Sequence, residues 1–206
     1  MKIITPLATL LLGVVAFTSA TNTTRSDDWI PLFDGKTLTG WRASENPSTF
    51  SVSNGEIVVH GLRAHLFYDG PVMNHAFKDF ELKADVMTKP GSNSGIFIRT
   101  TYQETDWPSK GYEVQANNSH TDWRRTGSLY AVQDVREAGK DDVWFTMHVI
   151  VRGRRVQVLV DDKHVVDYTE PDSAPTRLTG STIALQGHDP NSEVHYRNVM
   201  IRPLTP

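Results

Sequence analysis

The chain has 206 residues, of which 38% are hydrophobic, 22% charged and 9% aromatic, with a formal net charge of -3 and no cysteine. This is globular composition for one domain, at most two, and it excludes disordered, collagen-like and low-complexity chains. The weak negative charge offers no electrostatic footprint for nucleic acid or an anionic membrane, and the missing cysteines exclude disulfides, thiolate metal sites, thiol nucleophiles and a lipidated cysteine anchor.

In chain order, Lys2, the apolar run Leu7 to Phe17 and the small residues Thr18-Ser19-Ala20 read as a secretory signal peptide over residues 1–20. The run is shorter than the ~20 residues a membrane span needs, so no span is expected after cleavage. A polar lead-in follows over residues 21–28, and a single domain over residues 29–206. From there the hydrophobic pattern has period two. Phe80, Leu82, Ala84 and Val86 alternate with Glu81, Lys83 and Asp85; Ile96 and Ile98 with Phe97 and Arg99; Tyr112, Val114 and Ala116 with Glu113, Gln115 and Asn117. Val156, Val158 and Val160 and then Ile183 and Leu185 continue the pattern. Asp34-Gly35, Asn54-Gly55, Asp69-Gly70-Pro71, Pro90-Gly91, Arg152-Gly153 and Asp161-Asp162 mark turns between these runs. An all-β fold, an antiparallel sandwich of jelly-roll type, is expected.

Several chemistries lack their motifs. The nearest approach to paired carboxylates on one strand, Glu104-Thr105-Asp106-Trp107-Pro108, lacks a final Glu and ends in a strand-breaking proline. A nucleophile elbow, a phosphate-binding glycine loop and a His-Glu-x-x-His helix are absent. What remains is polar residues that alternation throws onto one face: Arg99; Glu113, Gln115 and Asn117; and Gln186 with His188. If their three strands are neighbours, a guanidinium, a carboxylate, an imidazole and amides converge on one surface. A merely solvated face is the competing explanation, but such a face rarely selects Gln, Asn and His over Lys, Glu and Thr.

Among aromatics near turns and strand ends, Trp41, Tyr102, Trp107, Trp123 and Tyr130 suit stacking against a sugar, whereas Trp29, Phe33, Phe80 and Trp144 sit in hydrophobic strings and suit the core. Trp123, flanked by Asp122, Arg124 and Arg125, is expected to wall a loop. Of eight histidines, His188 at a strand end ranks first, His65 and His120 second, and His148, His164 and His195 as strand decoration.

The strings WIPLFDGKTLTGW, FKDFELKADVMTKPGSNSGIFIR, GYEVQANN, TGSLY and IALQGHDPNSEVHYRNVMIRPL, in this order from Trp29 to Leu204, resemble the 3-keto-disaccharide hydrolase domain family. The resemblance implies a concanavalin-like jelly roll, exported to the periplasm or medium, acting on glycosides whose sugar is already a ketone at C3. Two departures stand out: Asn117-Asn118 where the family usually has Asp, and Asp161-Asp162 where a hairpin usually has Asn-Gly.

Such a substrate makes a second carboxylate unnecessary, because the ketone acidifies the C2 proton and an enolate can expel the C1 leaving group. Glu113 and His188 are expected to share the base and acid roles in either order. Arg99 is expected at the oxyanion, and Gln115, Asn117, Gln186, Trp123, Tyr130 and His65 in substrate binding. A divalent metal on His and Glu is the alternative electrophile. The partner is an oxidised saccharide, not a nucleic acid. A carbohydrate-binding module without catalysis is the rival reading, and a laminin-G-like adhesion domain a third.

Overall fold

The computed structural model describes Met1 and residues 28–204, so the expected signal peptide and residues 21–27 of the lead-in lie outside the described residues. Thirteen strands follow in order: β1 (Ile30–Pro31), β2 (Trp41–Ala43), β3 (Phe50–Ser53), β4 (Glu56–His60), β5 (Ala64–Tyr68), β6 (Phe80–Thr88) and β7 (Ser94–Thr100), then β8 (Tyr112–Ala116), β9 (Phe145–Arg152), β10 (Arg155–Val160), β11 (Lys163–Thr169), β12 (Thr182–Gly187) and β13 (Glu193–Pro203). The helical elements among the described residues are single 3-10 turns, Pro47–Thr49 and Val72–His75. No helix there is long and apolar enough to cross a membrane.

All pairings are antiparallel and form two sheets. One runs β11-β10-β9-β6-β13-β4-β3, with β1 added to β13; the other runs β2-β5-β12-β7-β8. Alternation explains the packing. Leu82, Ala84 and Val86 of β6 and Met147, Val149 and Val151 of β9 join Ile96 and Ile98 of β7, Val114 of β8 and Ile183 and Leu185 of β12 in one fully buried cluster between the sheets. The expected sandwich is therefore present. At the β10–β11 hairpin Asp161 and Asp162 both take left-handed φ, +47° and +61°, the backbone an Asn-Gly turn would use, so the departure there leaves the turn type intact.

Trp41 is buried in the core, its indole Nε1 donating to Leu32 O at 2.8 Å, so it is not a sugar platform. Trp29, assigned to the core, is only half-buried; it lies on the outer side of the larger sheet with Lys83 and Arg202 over its ring at 5.0 and 4.9 Å.

Candidate active site

The five-stranded sheet turns its second face away from the core, and what that face carries follows from the strand register. On β8, Tyr112, Val114 and Ala116 point inward, leaving Glu113 and Gln115 outside; on β12, Ile183 and Leu185 point inward, leaving Ala184 and Gln186 outside. Gly95 pairs with Gln115, Phe97 with Glu113, and Gln186 with His65 of β5. Phe67, Phe97, Ala184 and Tyr102 form a small apolar cluster of their own on this face. Beside it opens a cleft of about 290 Å³ whose polar lining includes Asn93, Glu113, Gln115, Gln186, His188 and Arg177, with Phe97, Trp107, Pro108 and Tyr130 as its apolar walls.

Glu113 is the centre of the floor. Gln186 Nε2 donates to its Oε1 at 2.8 Å. Burial raises the carboxyl to about 8; the Gln186 amide pulls it down in part, and the charge of Asp122 pushes it further up. Gly95 makes room for it, since a Cβ there would lie 2.7 Å from Glu113 Oε1. Gln115 is fully buried and its Nε2 donates to Asn93 Oδ1 at 3.0 Å. Gln115 Oε1 and Gln186 Oε1 are both buried with no hydrogen-bond partner among the described residues.

His188, just beyond β12, stands at the other side. Asp189 Oδ2 lies 2.7 Å from its Nδ1; a carboxylate only accepts, so Nδ1 carries the proton and Nε2 the lone pair of the neutral ring. Asp189 is itself fixed by Ser192 Oγ at 2.9 Å and the Asn191 amide at 2.8 Å. Burial opposes its charge, but these donors and His188 hold the carboxyl below the usual range. His120 stacks edge-on to His188 at 5.4 Å.

His120, His188 and Asp189 are the group of three possible metal ligands among the described residues, with donor atoms within 4.8 Å of one another. Their hydrogen bonds suit an imidazole–carboxylate–imidazole assembly better than a cation site. His120 Nδ1 accepts the Asp122 amide at 3.1 Å, which puts that ring's proton on Nε2, toward Asp189 Oδ2 at 4.0 Å, and Oδ2 already accepts from His188 and Ser192.

Of the expected site residues, Glu113, Gln115, Gln186, His188 and Tyr130 line one cleft. Three others lie elsewhere. Arg99 sits at a β-bulge where Ile98 and Arg99 oppose the single residue Ile183, with φ +52°. The bulge turns its guanidinium to backbone carbonyls: Nη1 donates to Phe77 O at 3.0 Å, and Nε (3.2 Å) and Nη2 to Leu178 O. Asn117 lies past the end of β8 and spends its amide on the 117–126 loop, with Oδ1 accepting from the His120 amide and Arg125 and Nδ2 donating to Asp122 O and Arg124 O. Trp123 is exposed on that loop, its ring covered by Arg124 and Arg136 at 4.8 and 4.2 Å, outside the cleft lining. His65 is adjacent but completely buried, under the edge of Trp107 at 5.5 Å.

Residue reading passed over Arg177, Asn93 and Asp189. Arg177 is exposed at the cleft, with its guanidinium 4.4 Å over the Tyr112 ring, and is the cation that lines it in place of Arg99. It comes from a loop with no periodic signal. Asp189 was within view, as the residue next to His188.

A larger hollow of about 400 Å³ lies elsewhere, walled by Val135, Val143, Trp144, Phe145 and Val165. Its buried polar side chains are Asn118 and Thr126: Thr126 Oγ1 donates to Asn118 Oδ1 and accepts from the Asn117 amide, and Asn118 Nδ2 donates to Thr88 Oγ1 and Lys140 O.

Known proteins bear on this geometry. A protein named 3-keto-disaccharide hydrolase from Bacteroides thetaiotaomicron is 28% identical over 174 residues, 69% of this chain and 59% of that protein, so the match spans less than two thirds of the relative. A crystal structure of a glycosyl hydrolase candidate from Parabacteroides distasonis superposes with TM-score 0.67 at 20% identity, covering 84% of this chain and 93% of that one. A carbohydrate-binding module from Bacillus subtilis superposes with TM-score 0.59 at 13% identity, over 79% and 95%. These structures share the sandwich fold. The match that identifies the chain runs over residues 28–202, and by it the protein belongs to the 3-keto-alpha-glucoside-1,2-lyase-like domain family.

Proposed function

We propose that this cleft cleaves 3-keto-glycosides, 3-keto-disaccharides among them, by abstraction of the C2 proton, elimination and rehydration. The observation that carries the reading is one polar hollow that pairs a carboxyl raised to about 8 with an imidazole oriented by a carboxylate; Glu113 is the carboxyl of its lining among the described residues. The family and the hydrolase named above support a glycoside-cleaving role.

His188 Nε2 takes the C2 proton; the C–H electron pair forms C2=C3, and the C3 oxygen becomes an enolate. The enolate then re-forms the C3 carbonyl, the C2=C3 pair moves to C1=C2, and the C1–O bond breaks with its electrons on the departing oxygen, which receives the proton of Glu113. Water adds hydroxyl at C1 and hydrogen at C2, giving net hydrolysis. Below about pH 8 Glu113 holds its proton, which suits the donor role, and His188 with its free lone pair suits the base.

The test is release of aglycone from a chromogenic 3-keto-glucoside. Glu113→Gln and His188→Ala are each expected to lower kcat/KM by about 10²-fold or more. Unchanged rates in both variants would remove the site. A carbohydrate-binding module is the second reading, favoured by the superposed binding module; sugar binding without turnover by the wild type would support it. Export to the periplasm or medium belongs to the same proposal, on the strength of the Leu7 to Phe17 run. Protein recovered from the periplasm is expected to start at Thr21, and retention of Met1 would contradict export by cleavage.

A further inference from the structure

One side chain beside the cleft has both of its polar atoms without a hydrogen-bond partner among the described residues. His65 is completely buried, and neither ring nitrogen meets a hydrogen-bonding group. A neutral imidazole always carries one N–H and one lone pair, so two polar capacities are desolvated for no structural return. Its neighbours are rings, Phe97 at 5.3 Å, Trp107 at 5.5 Å and Phe67 at 6.2 Å. Burial keeps it neutral, lowering it to about 4, with Glu45 and Asp106 opposing and Arg63 and His188 assisting.

Its cross-strand partner is Gln186, whose Oε1 is likewise buried and unpartnered while its Nε2 holds Glu113. An N–H donor, a lone pair and a carbonyl acceptor therefore stand side by side, one residue from the proposed proton donor. Trp107 covers His65 on the cleft side. The residue is 40% exposed; its ring lies against His188 at 5.4 Å and under the Arg63 guanidinium at 5.3 Å, and its loop is held by Arg63 to Asp106 at 3.1 Å and by Gln103 Nε2 to the Thr105 and Trp107 carbonyls.

We infer that His65 and Gln186 form the anchor for the substrate's ketone and an adjacent hydroxyl, with the His65 N–H holding the C3 oxygen as it becomes an enolate once the Trp107 ring turns aside. This rests on the function proposed above. A ketone oxygen only accepts, which matches the imidazole N–H, and the neighbouring hydroxyl donates to Gln186 Oε1. The bond to oxygen strengthens as negative charge develops, so it acts on the transition state more than on the ground state. It takes the oxyanion role expected of Arg99, which is turned to Phe77 and Leu178, and leaves Arg177 as a cation of the cleft lining.

Stability and activity should separate. His65→Phe replaces an unpartnered polar ring with an apolar one of similar shape, so its thermal midpoint is expected to equal or exceed that of the wild type. Its kcat on the 3-keto-glucoside is expected to fall by about 10²-fold or more, with KM changing less, and His65→Asn, which keeps a donor, to recover part of the loss. Unchanged kcat in a folded His65→Phe, with an active wild type, would reduce His65 to packing and leave the proposed function standing. An inactive wild type would overturn both. Should His65→Phe not fold, ¹⁵N-histidine spectra of the wild type with a 3-keto sugar lacking a C1 leaving group give the answer: the His65 nitrogen resonances shift on binding, and unmoved resonances at saturation contradict the inference.

Discussion

At the scale of single residues, the site depends on how Glu113 is housed. Its carboxyl lies over a glycine, against Phe97 and within reach of one amide, and this enclosure makes it a proton donor near neutrality. The kcat/KM profile for a 3-keto-glucoside is therefore expected to fall above about pH 8, as the donor loses its proton, and the fall should vanish in the residual activity of Glu113→Gln. A wild-type profile that stays level from about pH 7 to 10 would contradict the donor role. Gly95→Ala tests the housing: a Cβ placed 2.7 Å from Glu113 Oε1 must displace the carboxyl, and a rate loss of about 10-fold or more is expected without loss of the fold. Asp189→Asn tests the second dyad. An amide donates where the carboxylate accepted, so the ring of His188 loses its tautomer, and kcat should drop about 10²- to 10⁴-fold.

At the scale of strands, alternation located the polar face and then failed where alternation stops. Glu113 and Gln115 lie inside β8 and Gln186 inside β12, so their parity is reliable. Arg99 lies in β7 but at a bulge, and one inserted residue reverses every face beyond it. Nothing in Ile96-Phe97-Ile98-Arg99 announces the bulge, because a left-handed Arg carries no sequence mark. Asn117 is one residue past β8, where the chain turns to form a loop and its amide closes that loop. Arg99→Ala separates the two possibilities for that residue. Leaving the Phe77 and Leu178 carbonyls without their donor is expected to cost about 1–3 kcal/mol in urea unfolding, with kcat/KM within about 10-fold of wild type. Full stability with lost activity would restore Arg99 to the chemistry.

At the scale of the whole molecule, the fold was legible because period two and turn residues recur along most of the chain, and the two sheets follow from burying one face of each strand. The order β5-β12-β7-β8, which brings His65, Gln186, Gly95 and Glu113 into neighbouring columns, was not legible: the chain separates β12 from β8 by the whole β9–β11 meander. Burial of Glu113 also sets a pH dependence of stability. Its proton is held to about 8 in the folded chain and only to about 4.5 ordinarily, so between those values the native state binds more protons than the unfolded one and stability falls as pH rises. The unfolding free energy of Glu113→Gln minus that of wild type is thus expected to grow from about pH 4.5 and level off above about pH 8, and a difference independent of pH would contradict the buried carboxyl.

Elimination through C2 is tested most directly by a 3-keto-glucoside carrying deuterium at C2. Turnover in ordinary water should release the aglycone with loss of that deuterium to solvent and a slowed rate, while the parent glucoside, not oxidised at C3, stays intact. Aglycone release with the C2 deuterium fully retained, or equal cleavage of the parent glucoside, would contradict a ketone-dependent lyase cleft.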